Sequence, residues 1–584
     1  METLGNSYTS FLKLKEKKSP KDQPFLYLYQ ASDLIDKIIL NEKKILQTSN
    51  NEKEQECIVA LLEYQKALVL VAVDEQSSAQ SILLNCLKVL TNFSMDPRFA
   101  VPFIDINNQL AILWFDWGDH LKAKKFLLKA EESFEEFRKL DEVPYPDFLS
   151  KNVETNWNCL DETYTLTCYY LAQIFGALNL KDKSAEYCRK TLERQLDSRN
   201  LDKLTWALDS MTLSQYYTDK NAFYLAHHCL SCSEYIINKL KEDFKLCGEI
   251  SETERLERTY ADLNFIWAKF YLIGLKASAE RYNLKPKDEL DIELNKVNGD
   301  EEEVREENNP LGENLFEKLL NAPDFKKNQL KPRLPANFND VTKNEAQKIF
   351  LQGLTCLESA KKFFVIDGFV TDHVLLCQDQ SQFYQLLTTF ESDPEKKIKL
   401  QKKRIDILSL ILGSKLSPIH FQAQIRELQY ELATCFEIIC DLIVEHKLNF
   451  ENFNEKHNLN SNKVSLFNDY ILKAILHYSD FTNSFNLTGA VDSDDLIVIM
   501  TAKWRAARLY TRLIPIATLE GELGIIETQQ KKLDWLKTSC KMFLEIKEYI
   551  KIKGTIEGFE NEEILVENMI EIISSTIKEM ESST

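Results

Sequence analysis

A chain of 584 residues is too long for one compact core, and its 44% apolar content excludes a globally disordered polymer. The net charge of −19 and pI near 5.1 exclude a nucleic-acid or anionic-lipid binder unless a basic patch is isolated, and no long basic run stands out. Glycine and proline together number 29, about 5% against a usual share of about 12%, so turns are few and helices are expected rather than short strands.

The start, METLGNSYTSF, has no apolar signal-peptide core, and no run approaches the length of a membrane span. Thirteen cysteines are scattered without framework spacing, mostly in apolar stretches such as ELATCFEIICDL. They read as reduced, buried thiols of an intracellular, cytoplasmic protein.

A pattern recurs four times within the first 245 residues. A small residue is followed three positions on by a large apolar one. A second small residue stands nine further, then a larger residue four later and another small one three after that. The copies place Ala67, Leu70, Ala79, Leu83 and Cys86; Leu110, Ala111, Trp114, Ala123, Leu127 and Ala130; Leu171, Ala172, Phe175, Ser184, Cys188 and Thr191; and Leu213, Ser214, Tyr217, Ala226, Leu230 and Ser233. This is the tetratricopeptide pattern, a helix–turn–helix whose small residues let neighbouring helices approach and whose larger ones fill the grooves. Each hairpin leaves an apolar face open, so stacked copies share one continuous core. The anchor moves from 67 to 111, 172 and 214, which makes the array divergent, with insertions such as Val143–Asn156.

The pattern predicts an all-α solenoid: a tetratricopeptide-like N-terminal subdomain over 1–250, one long linking helix over 251–284, an acidic, partly disordered loop over 285–340, and a C-terminal helical subdomain over 341–584. Within the loop, Asp288 to Glu307 holds ten acidic and two basic residues, the composition of a solvated tether. Helices are expected over 342–364, 373–391, 394–412, 417–446, 463–486, 495–518, 526–552 and 560–582.

Chemistry is sparse. His227, His228, Cys229 and Cys232 resemble a metal cluster, but helical spacing splays them and no second ligand pair follows, so packed thiols are expected and no metal. Asp372-His373 precedes a helix that Thr371 or Asp372 is expected to cap. No phosphate loop, nucleophile elbow or zinc-protease helix is present, which points to a binding protein without catalytic residues or cofactor. Better candidates stand beside the small anchors of the first helices: Gln109, Gln173 and Gln215, with Tyr170 and Thr212 three residues before the latter two. This position is expected to face away from the packing stripe. Glutamine and tyrosine there supply area and two-way hydrogen bonding.

TCYYLAQIFGALNLKDKSAEYCRKTLERQL, WALDSMTLSQYY and AHHCLSC, with KKFFVIDGFVTDH, QDQSQFYQLLTTFESDPEKKIKLQKKRIDIL and AKWRAARLY in the second half, resemble the KIF-binding protein (kinesin-binding protein) family. The resemblance runs from about residue 60 to beyond 510. It implies a right-handed α-solenoid of two subdomains joined by a long helix. It also implies binding to kinesin motor domains by occlusion of their microtubule-binding surface. The family's contact residues, in YLAQ, ERQL and TLSQ, fall on Tyr170, Gln173, Gln195 and Thr212; only the resemblance nominates Gln195. The expected protein is a cytoplasmic, cytoskeleton-associated monomer that binds no nucleic acid. A general tetratricopeptide scaffold or co-chaperone adaptor is the alternative, disfavoured because such clamps hold a carboxylate with groove lysines and arginines.

Overall fold

The structure is a computed structural model. It describes all residues except 1, 21, 48–51, 141, 151–154, 156, 199–200, 248–249, 285–315, 317–318, 320–337, 339–340, 415, 446–460, 487–491, 518–521, 555, 557 and 584. The expected acidic block Asp288–Glu307 therefore lies outside the described residues. Among those described, the secondary structure is helical and no strand occurs. The protein is an all-α solenoid in which, within each unit, helices pack on their sequence neighbours.

By contacts the chain divides into two units, Met1–Asp243 with Asn308–Lys331, and Phe244–Glu307 with Pro332–Thr584. The first begins with α1 (Glu2–Lys15) and α2 (Leu26–Leu46), which lead into four hairpins. These are α3 (Glu52–Ala72) with α4 (Gln76–Leu90), α5 (Ala100–Asp116) with α6 (His120–Arg138), α7 (Asn158–Ala177) with α8 (Lys181–Gln195), and α9 (Lys203–Asp219) with α10 (Phe223–Cys247). They are the four copies read from the sequence. The first-helix anchors Ala67, Ala111, Ala172 and Ser214 are buried, as are Ala79, Ala123 and Ala226 of the second helices. Two of the serines are satisfied across the contact, Ser184 Oγ donating to the Ala172 carbonyl at 2.8 Å and Ser233 Oγ to that of Ala207 at 3.1 Å, while the anchor Ser214 donates within its own helix to the Met211 carbonyl at 2.6 Å.

The turns repeat as closely as the helices do. Seven residues after each anchor stands a residue at positive φ: Asp74 at 66°, Gly118 at 80°, Asn179 at 58° and Asn221 at 57°. Around each, the same pair of hydrogen bonds closes the helix. The next amide reaches back to a carbonyl five residues earlier (Glu75 to Leu70, Asp119 to Trp114, Leu180 to Phe175, Ala222 to Tyr217) at 2.8–2.9 Å, and the positive-φ residue bonds three back. This is the Schellman C-cap, and glycine, asparagine and aspartate are the residue types that enter the left-handed region at least cost. A Cβ at Gly118 would meet nothing within 4 Å, so Gly118→Ala isolates the backbone penalty. It is expected to cost about 1 kcal/mol, with Gly118→Asn costing less than half of that, as read from urea midpoints.

In the second unit α11 (Ile250–Leu284) packs along α12 (Lys343–Lys361). Then follow α13 (Val370–Leu387), α14 (Pro394–Leu412), α15 (Gln422–Glu445), α16 (Ser461–Asn483), α17 (Ser493–Arg512), α18 (Glu522–Lys553) and α19 (Glu560–Ser583), each on its predecessor. These coincide with the expected helices to within four residues at the ends, except that the expected 417–446 begins five residues before α15 and the expected 495–518 runs six residues beyond α17. Gly274 of α11 is required by packing: the Phe338 ring lies 2.4 Å from where a Cβ would sit, and the Phe338 carbonyl accepts from Ser278 Oγ at 2.8 Å. Two buried polar hubs knit successive helices. Arg404 of α14 donates to Ser381 of α13 at 3.0 Å, to Gln401 at 2.9 Å and to Glu431 of α15 at 3.0 Å. Glu437 of α15 accepts from Tyr478 of α16 at 2.7 Å and pairs with Arg505 and Arg508 of α17.

One capping expectation fails. α13 starts at Val370 with Phe369 at its N-cap, and neither Thr371 nor Asp372 caps it. The aromatic cluster of Phe363, Phe364 and Phe369 sets the entry angle instead, and His373 Nδ1 donates to the Phe364 carbonyl at 2.8 Å.

Candidate partner-binding face

The repeat register defines which face of each first helix is left open. Counted from the anchor, positions −6, −2, +1 and +5 are successive turns of one stripe. On α5 they are Asp105, Gln109, Ile112 and Asp116; on α7, Leu166, Tyr170, Gln173 and Ala177; on α9, Leu208, Thr212, Gln215 and Asp219. All are half-buried or exposed, and exposure rises along each stripe to Asp116, Ala177 and Asp219. The first copy contributes Gln65 and Leu68, both half-buried, and exposed Ala72. Neighbouring first helices are tied beneath this face by buried polar contacts: Asn108 of α5 donates to the Thr163 carbonyl at 3.1 Å and accepts from Thr167 Oγ1 at 2.9 Å.

The register corrects one assignment. Gln173 and Gln215 follow their anchors by one residue, whereas Gln109 precedes Ala111 by two. Gln109 is therefore equivalent to Tyr170 and Thr212, and the row at −2 reads Gln65, Gln109, Tyr170, Thr212. Sequence reasoning missed Gln65, which accepts from Lys15 Nζ at 3.1 Å. Stepping the −2 position back to the Ala67 anchor would have found it.

The candidates differ in setting. Tyr170 is half-buried, its ring edge-on to Tyr169 at 5.2 Å; burial first, then Tyr169 and Asp116, pushes its hydroxyl's pKa up. Gln173 and Gln215 are exposed. Thr212 is exposed, its hydroxyl donating to the Leu208 carbonyl at 3.0 Å. Gln109 shares a hydrogen bond with Asp105, whose pKa is raised by burial against the opposing pull of Tyr64 and Gln109. Gln195 ends α8, off the stripe, and its buried Oε1 accepts no hydrogen bond. The stripes hold no lysine or arginine.

Asp209, one turn before Thr212 on α9, is a further residue the sequence did not single out. Its position, five before the anchor, is filled in the earlier copies by buried Leu62, Ile106 and Thr167. A carboxylate in this core slot is desolvated, which together with Asp202 raises its pKa to about 6.

The four-residue cluster of α10 is packing. Cys229 and Cys232 are buried, and burial drives both thiols' pKa values up, the opposite of what a metal thiolate needs. The His228 ring stacks on Phe316 at 6.0 Å, and Phe316 also closes edge-on over buried Trp206 at 5.1 Å. Among the described residues no group of three or more His, Cys, Asp or Glu is arranged to hold a metal ion, and no helix is long and apolar enough to cross a membrane.

Stacked helix pairs of this kind define a helical-repeat protein. The chain belongs to the family described as KIF-1 binding protein C terminal, whose model matches residues 204–580. It is similar to the KIF-binding protein of Gallus gallus, 28% identical with 97% of this chain and 95% of that one covered. It is also similar to the KIF-binding proteins of Homo sapiens (26%, covering 85% and 81%) and Drosophila melanogaster (24%, covering 92% and 91%). A solved structure titled as the cryo-EM structure of KIFBP core aligns over 47% of this chain and 89% of that chain at 22% identity, with a TM-score of 0.33.

Proposed function

We propose that the protein binds kinesin motor domains through the first-helix face of its repeats, and that by covering a motor's microtubule-binding surface it keeps the motor off its track. The observation that carries this reading is the charge of the stripes: among Gln109, Tyr170, Gln173, Thr212 and Gln215 and the apolar Ile112, Leu166, Ala177 and Leu208 stand the carboxylates Asp105, Asp116 and Asp219, with no basic residue. Such a face suits a partner whose surface is basic, and a surface that binds acidic tubulin is basic. The net charge of −19 adds long-range attraction of the same sign. Tubulin and this chain compete for one patch, so inhibition needs affinity alone and no chemistry. The protein acts in this reading as a cytoplasmic monomer and regulates kinesin-driven transport.

Cosedimentation of kinesin motor domains with microtubules tests the reading. Adding the protein is expected to move motors from pellet to supernatant in proportion to its concentration; motors that pellet equally with and without it would sink the occlusion mechanism. Tyr170→Ala with Gln173→Ala is expected to weaken motor binding at least tenfold, about 1.4 kcal/mol. Gln173 is exposed, whereas the half-buried Tyr170 ring packs against the core of α5–α8, so the thermal transition is expected to fall somewhat and binding is compared at a temperature where the variant stays folded. Undiminished binding by that folded variant removes this face from the mechanism.

A further inference from the structure

The second unit carries a feature that the acidic composition hides. Six of the nine residues from Lys396 to Arg404 are basic, a run interrupted by Ile398, Leu400 and Gln401. It therefore supplies the isolated basic patch that a scan for unbroken runs passes over. On α14 the helix sorts it: Arg404 turns inward to its hub, while Lys396, Lys399, Lys402 and Lys403 are exposed within one arc of the surface. None of these four lysines forms an ion pair with a described residue. Like charges three and four residues apart repel, so this face is relieved when carboxylates neutralise it.

A cavity of about 270 Å³ opens beside this row, formed by α12, the end of α13 and α14. Leu387, Phe390 and Leu400 supply apolar wall, and Lys343, Lys396 and Lys399 stand against the single carboxylate of Glu391, which leaves the cavity net basic. Lys343 pairs with Glu391 at 2.9 Å and Lys396 acts on the same carboxylate at longer range, which leaves Lys399, and Lys396 in part, to face a ligand. The cavity has room for one large side chain rather than an extended molecule.

We infer that the lysine face of α14 and its cavity form a docking site for an acidic peptide segment that carries one bulky apolar side chain. Carboxylates of the peptide pair with Lys396, Lys399 and Lys403, which span seven residues and hence about 10 Å of helix. The apolar side chain enters between Leu387, Phe390 and Leu400 and fixes the register. A nucleic acid fits worse: Glu395 and Asp406 stand exposed within the same arc, one at each end of the lysine row, and a continuous phosphate chain cannot avoid them as a peptide with spaced carboxylates can.

The test uses the full chain and a fluorescein-labelled dodecapeptide of glutamates with one central phenylalanine, followed by anisotropy. Binding is expected to weaken with added salt and to fall at least tenfold in Lys396→Glu/Lys399→Glu/Lys403→Glu. All three positions are exposed, so the variant should keep the parent's thermal transition. A peptide of glutamates alone is expected to bind at least tenfold more weakly than the phenylalanine peptide. Equal binding by the charge-reversed variant overturns the site, and equal binding by the all-glutamate peptide overturns the role of the cavity. Single-stranded DNA of matching charge binding as tightly, or self-association that the triple variant abolishes, would give the face to another occupant and overturn the peptide assignment.

Discussion

Replacing Arg404 by methionine is expected to destabilise the second unit by about 3–5 kcal/mol, the usual result of removing one partner from a buried ionic hub. The guanidinium is 2% exposed and joins three helices through Ser381, Gln401 and Glu431. Methionine fills much of the volume but donates no hydrogen bond. The Glu431 carboxylate, 18% exposed, is then left half-buried without its cation, and the Gln401 amide oxygen without a donor. Urea unfolding followed by the fluorescence of Trp504 and Trp535 reads the loss. Lys403→Met, an exposed neighbour on the same helix, is the control and should stay within about 0.5 kcal/mol of the parent. Adding Glu431→Leu to Arg404→Met should recover most of the loss, because the uncompensated carboxylate goes with it. An Arg404→Met protein as stable as the control would mean that the hub is ornamental.

That hub marks the boundary of what the sequence reveals. The repeat was legible because its determinants are local, small residues at fixed spacing; the left-handed turn seven residues after each anchor is an equally local signal that the pattern reading did not use. Long helices in the second unit were legible from periodicity and scarce turn residues. Arg404 was not, since its partners lie 23 and 27 residues away and nothing in KKRIDIL distinguishes the arginine that turns inward from the lysines that do not. Phe316 and Phe338 stayed hidden for the same reason: their seats on Trp206 and on Gly274 are fixed by distant chain. On the candidate face, the helix pattern located the stripe but blurred its register. Gln109 was grouped with Gln173 and Gln215, although it precedes Ala111 by two residues and so belongs to the −2 row. The cap of α13 went astray because local propensity favours Thr371 and Asp372, whereas aromatic packing decides where that helix begins.

Asp209→Asn is expected to stabilise the protein at pH 7.5 by about 1–2 kcal/mol while weakening its hold on a basic partner. In the unfolded chain this carboxyl titrates near 3.8, and in the fold near 6. Between those values the native chain keeps a proton that the unfolded chain releases, so stability falls as pH rises from about 4 through 6. Above that window the whole penalty is present. The displacement, at about 1.36 kcal/mol per pH unit, sets a ceiling of about 3 kcal/mol, and solvent reaching the half-exposed group reduces it to the figure given. Asparagine is neutral throughout. The gain should therefore be full at pH 7.5, shrink through pH 6 and vanish near pH 4; a pH-independent gain would show that packing rather than charge is responsible. The cost of holding a carboxylate at a position where the other repeats place leucine, isoleucine and threonine makes sense only if the charge is used. If the first-helix face binds the motor as proposed, Asp209, one turn from Thr212, would meet a cation there, and the pairing would pull its pKa back down. Motor binding by the parent protein should then tighten as pH rises through 6, and binding by Asp209→Asn should lose that slope. A parent and a variant with the same slope would separate the stability cost from recognition and leave Asp209 outside the contact.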